Sequence, residues 1–338
     1  MSEQSKQEMM VIGLGDRAAD LIVELPAMDN FAKVVALREN RRFPRDKKIK
    51  LISLRDRTPW RDLWIPDGGA LVVSDLENME RGDDLIKLSR KLGQKKSLFL
   101  LMRPHRLEGD LKVNRAKSII EKLQENKNAI LCFDEDLLMP DMRMTVNTAF
   151  ENMKISMANG LACFIEMLRE DGPMKVNLDD LRDLLKETFG VINFAQGEGC
   201  KISDSVENLL SSKLIGQARK EADIGILYMK LGSAHGDLNV LHDLGTTVEM
   251  ACPEKCQFMR AYGNSSGDPE FMELFLALIR THRIEKAVKP VITQQQEKIQ
   301  SVAVDEELLH LFLRHEHTAS LTSKLKVPTY KRLGIKVN

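Results

Sequence analysis

Past Phe150 the apolar residues Met153, Met157, Leu161, Phe164 and Leu168 recur at steps of four, four, three and four. That spacing predicts a single uninterrupted helix of about five turns with one continuous apolar stripe. Asp171-Gly172-Pro173 closes it with a stop signal and a proline. A helix this long, midway along a 338-residue chain, is a spine to which two other parts of the fold attach.

The segments on either side differ in pattern. Before the helix, short β-rich runs at Met9–Gly13, Lys33–Leu37, Ile49–Leu54, Ala70–Ser74, Ser97–Met102 and Ala129–Phe133 alternate with helical patterns such as Asp84–Leu92 and Val113–Gln124. Such alternation predicts an α/β domain with a mostly parallel sheet over residues 1–148. The helix follows over residues 149–172. Residues 173–286 then begin with helices at Leu178–Glu187 and Ser203–Lys220. Strands are expected at Ile224–Leu231, Thr247–Ala251, Gln257–Tyr262 and Phe271–Arg280, a smaller α+β domain. Residues 287–338 read as a polar tail with one embedded helix, Val304–His315.

Charge excludes some partners. Fifty Lys and Arg balance fifty Asp and Glu, so no bulk attraction to nucleic acid is expected. Nothing resembles a secretory leader, and no run approaches the roughly 18 apolar residues of a transmembrane helix. Five cysteines without a disulfide framework suit a cytoplasmic setting. Cys252 and Cys256 are a close pair but lack two more ligands at zinc-finger spacing. His310, His315 and His317 read as a solvated tail face, so no metal is expected.

Several segments, taken in order, resemble FtsZ, the bacterial tubulin homologue. Val11-Ile12-Gly13-Leu14-Gly15 stands where that family begins its first phosphate loop. Arg103-Pro104-His105-Arg106-Leu107-Glu108-Gly109 is similar to its K-P-F-x-F-E-G segment, and Asp134-Glu135-Asp136-Leu137-Leu138 to its acidic turn. Ala149 to Met174 resembles the family's central helix and its exit, Leu209–Leu214 its S-S-P-L-L segment, and Val327–Arg332 its terminal peptide. The resemblance implies a two-domain tubulin/FtsZ-like α/β fold. It comprises a Rossmann-like nucleotide-type domain (1–148), a core helix (149–172), an α+β activation-type domain (173–286) and a partner-binding tail. It also implies head-to-tail filaments.

Against that pattern the nucleotide motifs are depleted. Of the glycine-rich phosphate loop only Gly13 and Gly15 survive, and a tight strand–helix turn accounts for them equally well. The family's G-G-G-T-G-T-G loop corresponds to Ser74–Asp84, which has one glycine and five carboxylates. Each carboxylate near a triphosphate repels it by about 1 kcal/mol or more. The segment between Leu54 and Ala70 is too short for the family's covering helix and loop, and Trp60 and Trp64 are expected to pack a short turn across the vacated mouth or to form a contact site. The resemblance assigns Glu108 to the ribose, Lys112 to the phosphates in place of arginine, and Thr148 to the guanine-reading position, without the carboxylate or amide needed there. In the hydrolysis loop N-x-D-F-A-D, Asn177 replaces the first carboxylate and Asp180 keeps the second. The same two residues also suit a plain helix N-cap.

The expectation is therefore an FtsZ-like cytoskeletal or division protein, a filament component or scaffold with weak or absent GTP binding and hydrolysis. The alternative is an active GTPase with a remodelled site, in which case GTP is the ligand. Expected partners are the chain itself or an authentic FtsZ, and a division-site adaptor. The adaptor would bind the terminal peptide through Val327, Pro328, Tyr330, Arg332 and Leu333. Cytoplasm at the division site is the location implied.

Overall fold

A computed structural model describes residues 9–25, 31–38, 49–56, 58–76, 79–93, 97–126, 128–133, 145–169, 174–185, 188–265 and 267–282. The expected tail, its embedded helix and its terminal peptide lie outside the described residues, as does the acidic turn at 134–138.

The chain runs β1 (Met9–Leu14), α1 (Asp16–Glu24), β2 (Phe31–Leu37), β3 (Ile49–Ser53), β4 (Ala70–Asp75), α2 (Met79–Leu92), β5 (Ser97–Met102), α3 (Asp110–Glu125) and β6 (Ala129–Phe133). The long helix α4 (Val146–Arg169) comes next. After it come α5 (Leu178–Leu184), β7 (Phe189–Gly199), α6 (Ile202–Leu210), α7 (Ala218–Glu221), β8 (Ile224–Leu231), α8 (Leu238–Met250), β9 (Gln257–Asn264) and β10 (Met272–His282). All ten strands join one sheet in the order β3-β2-β1-β4-β5-β6-β7-β10-β8-β9. The six strands before α4 are parallel, and β10 runs antiparallel between β7 and β8.

Why the first strands are nearly all apolar follows from their two covered faces. Along β5, Leu98, Leu100 and Met102 enter the core beneath α1 and α4. Phe99 and Leu101 enter the opposite core beneath α2 and α3. Met10 and Ile12 of β1 belong to that second core, while Met9 and Val11 belong to the first. Period-2 alternation therefore splits each strand between two cores.

The helix stripe is buried as its spacing requires. Met153, Met157, Leu161 and Phe164 are all at or below 5% exposure. Gly160 lies on the same helix where a Cβ would run into the Phe194 ring of β7, so glycine there permits close approach of helix and sheet. The Phe164 and Phe194 rings lie 6.0 Å apart.

Several expected elements change. Thr247–Ala251 is not a strand but the end of α8 and the residue capping it. Asp237 caps that helix by accepting the Asn239 amide at 2.8 Å, and Leu241, Leu244 and Val248 fix its buried face. Burial at helical spacing overrides the β preference of Thr246-Thr247-Val248. β7 forms over Phe189–Gly199, where the sequence pattern predicts no strand. The helix expected from Asp84 starts five residues earlier, at Met79. Ser203–Lys220 divides into α6, a 3₁₀ turn at Lys213–Ile215, and the start of α7. Among the described residues no helix is long and apolar enough to cross a membrane.

Candidate functional site

The ends of β1 and β4 and the starts of α1 and α2 define the crevice where the resemblance puts a nucleotide's phosphates. Gly13 serves packing there. A Cβ on it would meet Ile22 Cδ1 at 2.6 Å and the Ala18 carbonyl oxygen at 3.2 Å, so its bareness lets α1 lie close to β1. Gly15 has φ of 101°, a conformation that side chains oppose. It heads α1, accepts the Ala19 amide at 2.8 Å, and donates its own amide to the Ala36 carbonyl at 3.1 Å.

The space above Gly15 is filled from inside the protein. Arg81, in the first turns of α2, extends into it so far that a Cβ on Gly15 would overlap the guanidinium. Its Nη1 donates to Asp75 Oδ2 at 2.7 Å and to the Leu14 carbonyl at 3.4 Å. Asp75 is 1% exposed and Arg81 9%. Ser74 Oγ donates to the same Leu14 carbonyl at 3.1 Å. A second pair stands beside the first. Arg38 Nη2 donates to Asp84 Oδ2 at 2.8 Å, and Arg38 Nη1 lies 3.3 Å from Glu80. Two of the acidic residues in the Ser74–Asp84 segment are thus buried and matched to arginines. The segment's own cation, Arg81, is the sequence signal that a count of carboxylates misses.

The pocket residues further out are also engaged. Glu108 lies in a 3₁₀ turn, where Oε1 accepts the His105 amide at 3.1 Å and Oε2 accepts Lys112 Nζ at 2.7 Å. Burial acts to raise its pKa, but the Lys112 and His105 bonds and the Arg17 charge outweigh it and hold the carboxyl below its ordinary value. Lys112 is therefore tied to Glu108. Thr148 is exposed in the first turn of α4, with its hydroxyl 2.8 Å from that of Thr145, to which it also donates its amide at 3.3 Å. That is helix-start chemistry.

Between α1 and α4 a cavity of about 320 Å³ remains, lined by Arg17, Asp20, Met102, Phe150, Lys154 and Met157 among others. The Arg17 guanidinium sits 5.8 Å from the Phe150 ring centre, in cation–π range. Lys154 pairs with Glu24 at 3.1 Å.

Asn177 and Asp180 form a separate unit beyond the opposite end of α4. They make a capping box at the start of α5, with the Asn177 amide donating to Asp180 Oδ2 at 3.3 Å. Both readings of that motif remain chemically available, since the Asp180 carboxylate keeps acceptor capacity beyond this bond. Trp60 and Trp64 do not act as one lid. Trp60 is 5% exposed in the core beneath α2 and α3, and Trp64 is 63% exposed.

No protein-family model and no curated protein sequence matches the chain. Solved structures do. The CetZ protein of Methanosaeta thermophila superposes with a TM-score of 0.64 at 13% identity, over 92% of this chain and 97% of that one. An empty FtsZ dimer from M. jannaschii gives 0.63 at 12% identity, over 86% and 96%. TubZ of Bacillus thuringiensis, solved as GDP-form protofilaments, gives 0.52 at 10% identity, over 92% and 93%. These likenesses show that the chain has the FtsZ/tubulin-like fold.

Proposed function

We propose that this protein is a filament component or scaffold of the FtsZ/tubulin type in which GTP binding and hydrolysis are weak or absent. The observation that carries the reading is the Arg81 guanidinium packed over Gly15 and neutralised by Asp75. A phosphate entering there has to displace a buried, charge-matched pair. Removing either partner from such a pair typically costs about 3–5 kcal/mol. The TubZ structure solved as protofilaments supports self-association, and a head-to-tail contact propagates into a filament because it does not close on itself. Without a hydrolysis switch, assembly is nucleotide-independent, alone or with an active FtsZ. The Lys175–Asp180 segment is the contact edge, and the Val327–Leu333 peptide binds a division-site adaptor in the cytoplasm.

Calorimetry tests the nucleotide part. GTP affinity no tighter than about 1 mM is expected, and micromolar binding overturns it. Sedimentation tests the assembly part, where polymers formed only upon GTP addition contradict the reading. For the tail, Tyr330→Ala is expected to weaken partner capture, and an unchanged set of captured partners retires the peptide.

The cavity between α1 and α4, with Phe150 and Arg17 on its wall, favours the second reading, a GTPase with a remodelled site. Nucleotide released by acid from the purified protein separates the two, because a remodelled GTPase retains guanine nucleotide and a scaffold does not.

A further inference from the structure

The turn between α8 and β9 carries two thiols that lie apart from the crevice. Cys252 and Cys256 both line a surface cavity of about 610 Å³, together with Glu249, Met250, Pro253 and Phe258. The turn that carries them is held by its own backbone. The Cys252 amide donates to the Glu249 carbonyl at 2.9 Å, continuing α8 for one more bond, and the Cys256 amide donates back to the Pro253 carbonyl at 2.9 Å. Both side chains rest partly buried against the core of the C-terminal half.

Two nearby carboxylates are committed elsewhere, and a third, Glu254 on the cavity wall, is exposed. Glu249 Oε1 is held by Arg260 at 2.8 Å, and Asp223 Oδ1 by Lys255 at 2.8 Å. Among the described residues no group of three His, Cys, Asp or Glu side chains is placed to hold a metal. A structural zinc needs four such ligands, so zinc does not fit. Soft thiolate donors select Cu(I), and a closed-shell monovalent ion is satisfied by two of them.

We propose that Cys252 and Cys256 form a two-thiolate site for a soft monovalent metal ion, Cu(I). On binding, two S–H bonds break and two Cu–S bonds form, and both protons pass to solvent. The copper stays Cu(I) and nothing is oxidised. Burial pushes the Cys252 thiol up to about 11 and the Cys256 thiol up to about 12, the latter raised further by Cys252 itself. Both are protonated at neutral pH, so the metal displaces protons and binding tightens as pH rises.

The test uses the full chain, reduced and kept anaerobic, titrated with Cu(I) against bicinchoninate. One tightly held equivalent is expected. Cys252→Ser and Cys256→Ser each weaken it by more than about tenfold, while Cys163→Ser and Cys200→Ser leave it unchanged. Undiminished binding in the double variant Cys252→Ser/Cys256→Ser overturns the site. X-ray absorption on the unaltered copper-loaded chain gives an answer independent of any variant's folding. Two sulfur neighbours at one short distance support the site, and a first shell of three or more donors rejects it.

Discussion

Gly15 and Arg81 share one volume: the guanidinium of Arg81 occupies the place a side chain on residue 15 would take. The residues are 66 positions apart, yet the bareness of one is the seat of the other. Gly15→Ala should therefore destabilise twice over. A positive φ costs an alanine about 1 kcal/mol, and the Cβ also evicts Arg81. In an Arg81→Ala background only the first cost remains. Urea unfolding of the four proteins of this cycle should show Gly15→Ala milder by about 1 kcal/mol when Arg81 is gone. Equal losses in both backgrounds would show that the two positions do not couple.

Asp75 and Arg81 make a further prediction about charge. Asp75→Asn leaves a buried guanidinium deprived of its carboxylate, at a cost of about 3 kcal/mol. Asp75→Asn combined with Arg81→Met removes both charges and should be less harmful than Asp75→Asn alone. Denaturant midpoints decide it. A double variant worse than the single would mean the pair contributes net stability rather than mutual neutralisation.

The central helix is tested at Phe164, which is fully buried against Phe194. Phe164→Asp puts an unpaired charge there and should cost about 4 kcal/mol or more. Melting at the parent's temperature would show that this face of α4 is not packed on the sheet.

Glu108 gives a pH signature. Its folded pKa lies below the unfolded value because Lys112, His105 and Arg17 together overcome burial. The stability it contributes is therefore fully present above the ordinary carboxylate range. It is lost as pH falls through the lowered folded value. Glu108→Gln should flatten that acid limb, and the parent and variant should converge at low pH. Identical slopes for the two proteins between pH 7 and pH 3 would rule the contribution out.

How much of this was readable beforehand depended on how local each signal is. The stripe at Met153, Met157, Leu161 and Phe164 specifies α4 by itself, because period and burial coincide. The six strands before α4 are short apolar runs, and all six were legible. By contrast β7 is interrupted by Gly190, Gly197 and Gly199. Gly190 is there for close packing against Ile279 and Leu131, and Gly197 for the backbone of Ser205 and Leu209. Both contacts belong to distant segments, so the glycines read as loop signals in isolation. Thr246-Thr247-Val248 misled in the other direction, since its helical fate depends on what α8 packs against. In the crevice, the loss of glycines was evident from the sequence. Arg81 was not, because only the start of α2 at Met79 aims it at Gly15.

The position of β10 has a consequence for how the chain is made. Its partners are β7 and β8, and β8 in turn is the support of β9. Emerging from a ribosome, β8 and β9 have nothing to attach them to the rest of the sheet until His282 has been synthesised. The strands before α4 pair with one another across at most sixty residues, as Met10 does with Ala70, whereas Gly199 of β7 waits seventy-three residues for Met272, the first of the eleven positions at which β10 pairs with it. Closing so long a loop is slow. The second half of the molecule is therefore completed in a single late event, and a nascent chain that ends before Met272 exposes the edges of β7 and β8 as unpaired templates for association.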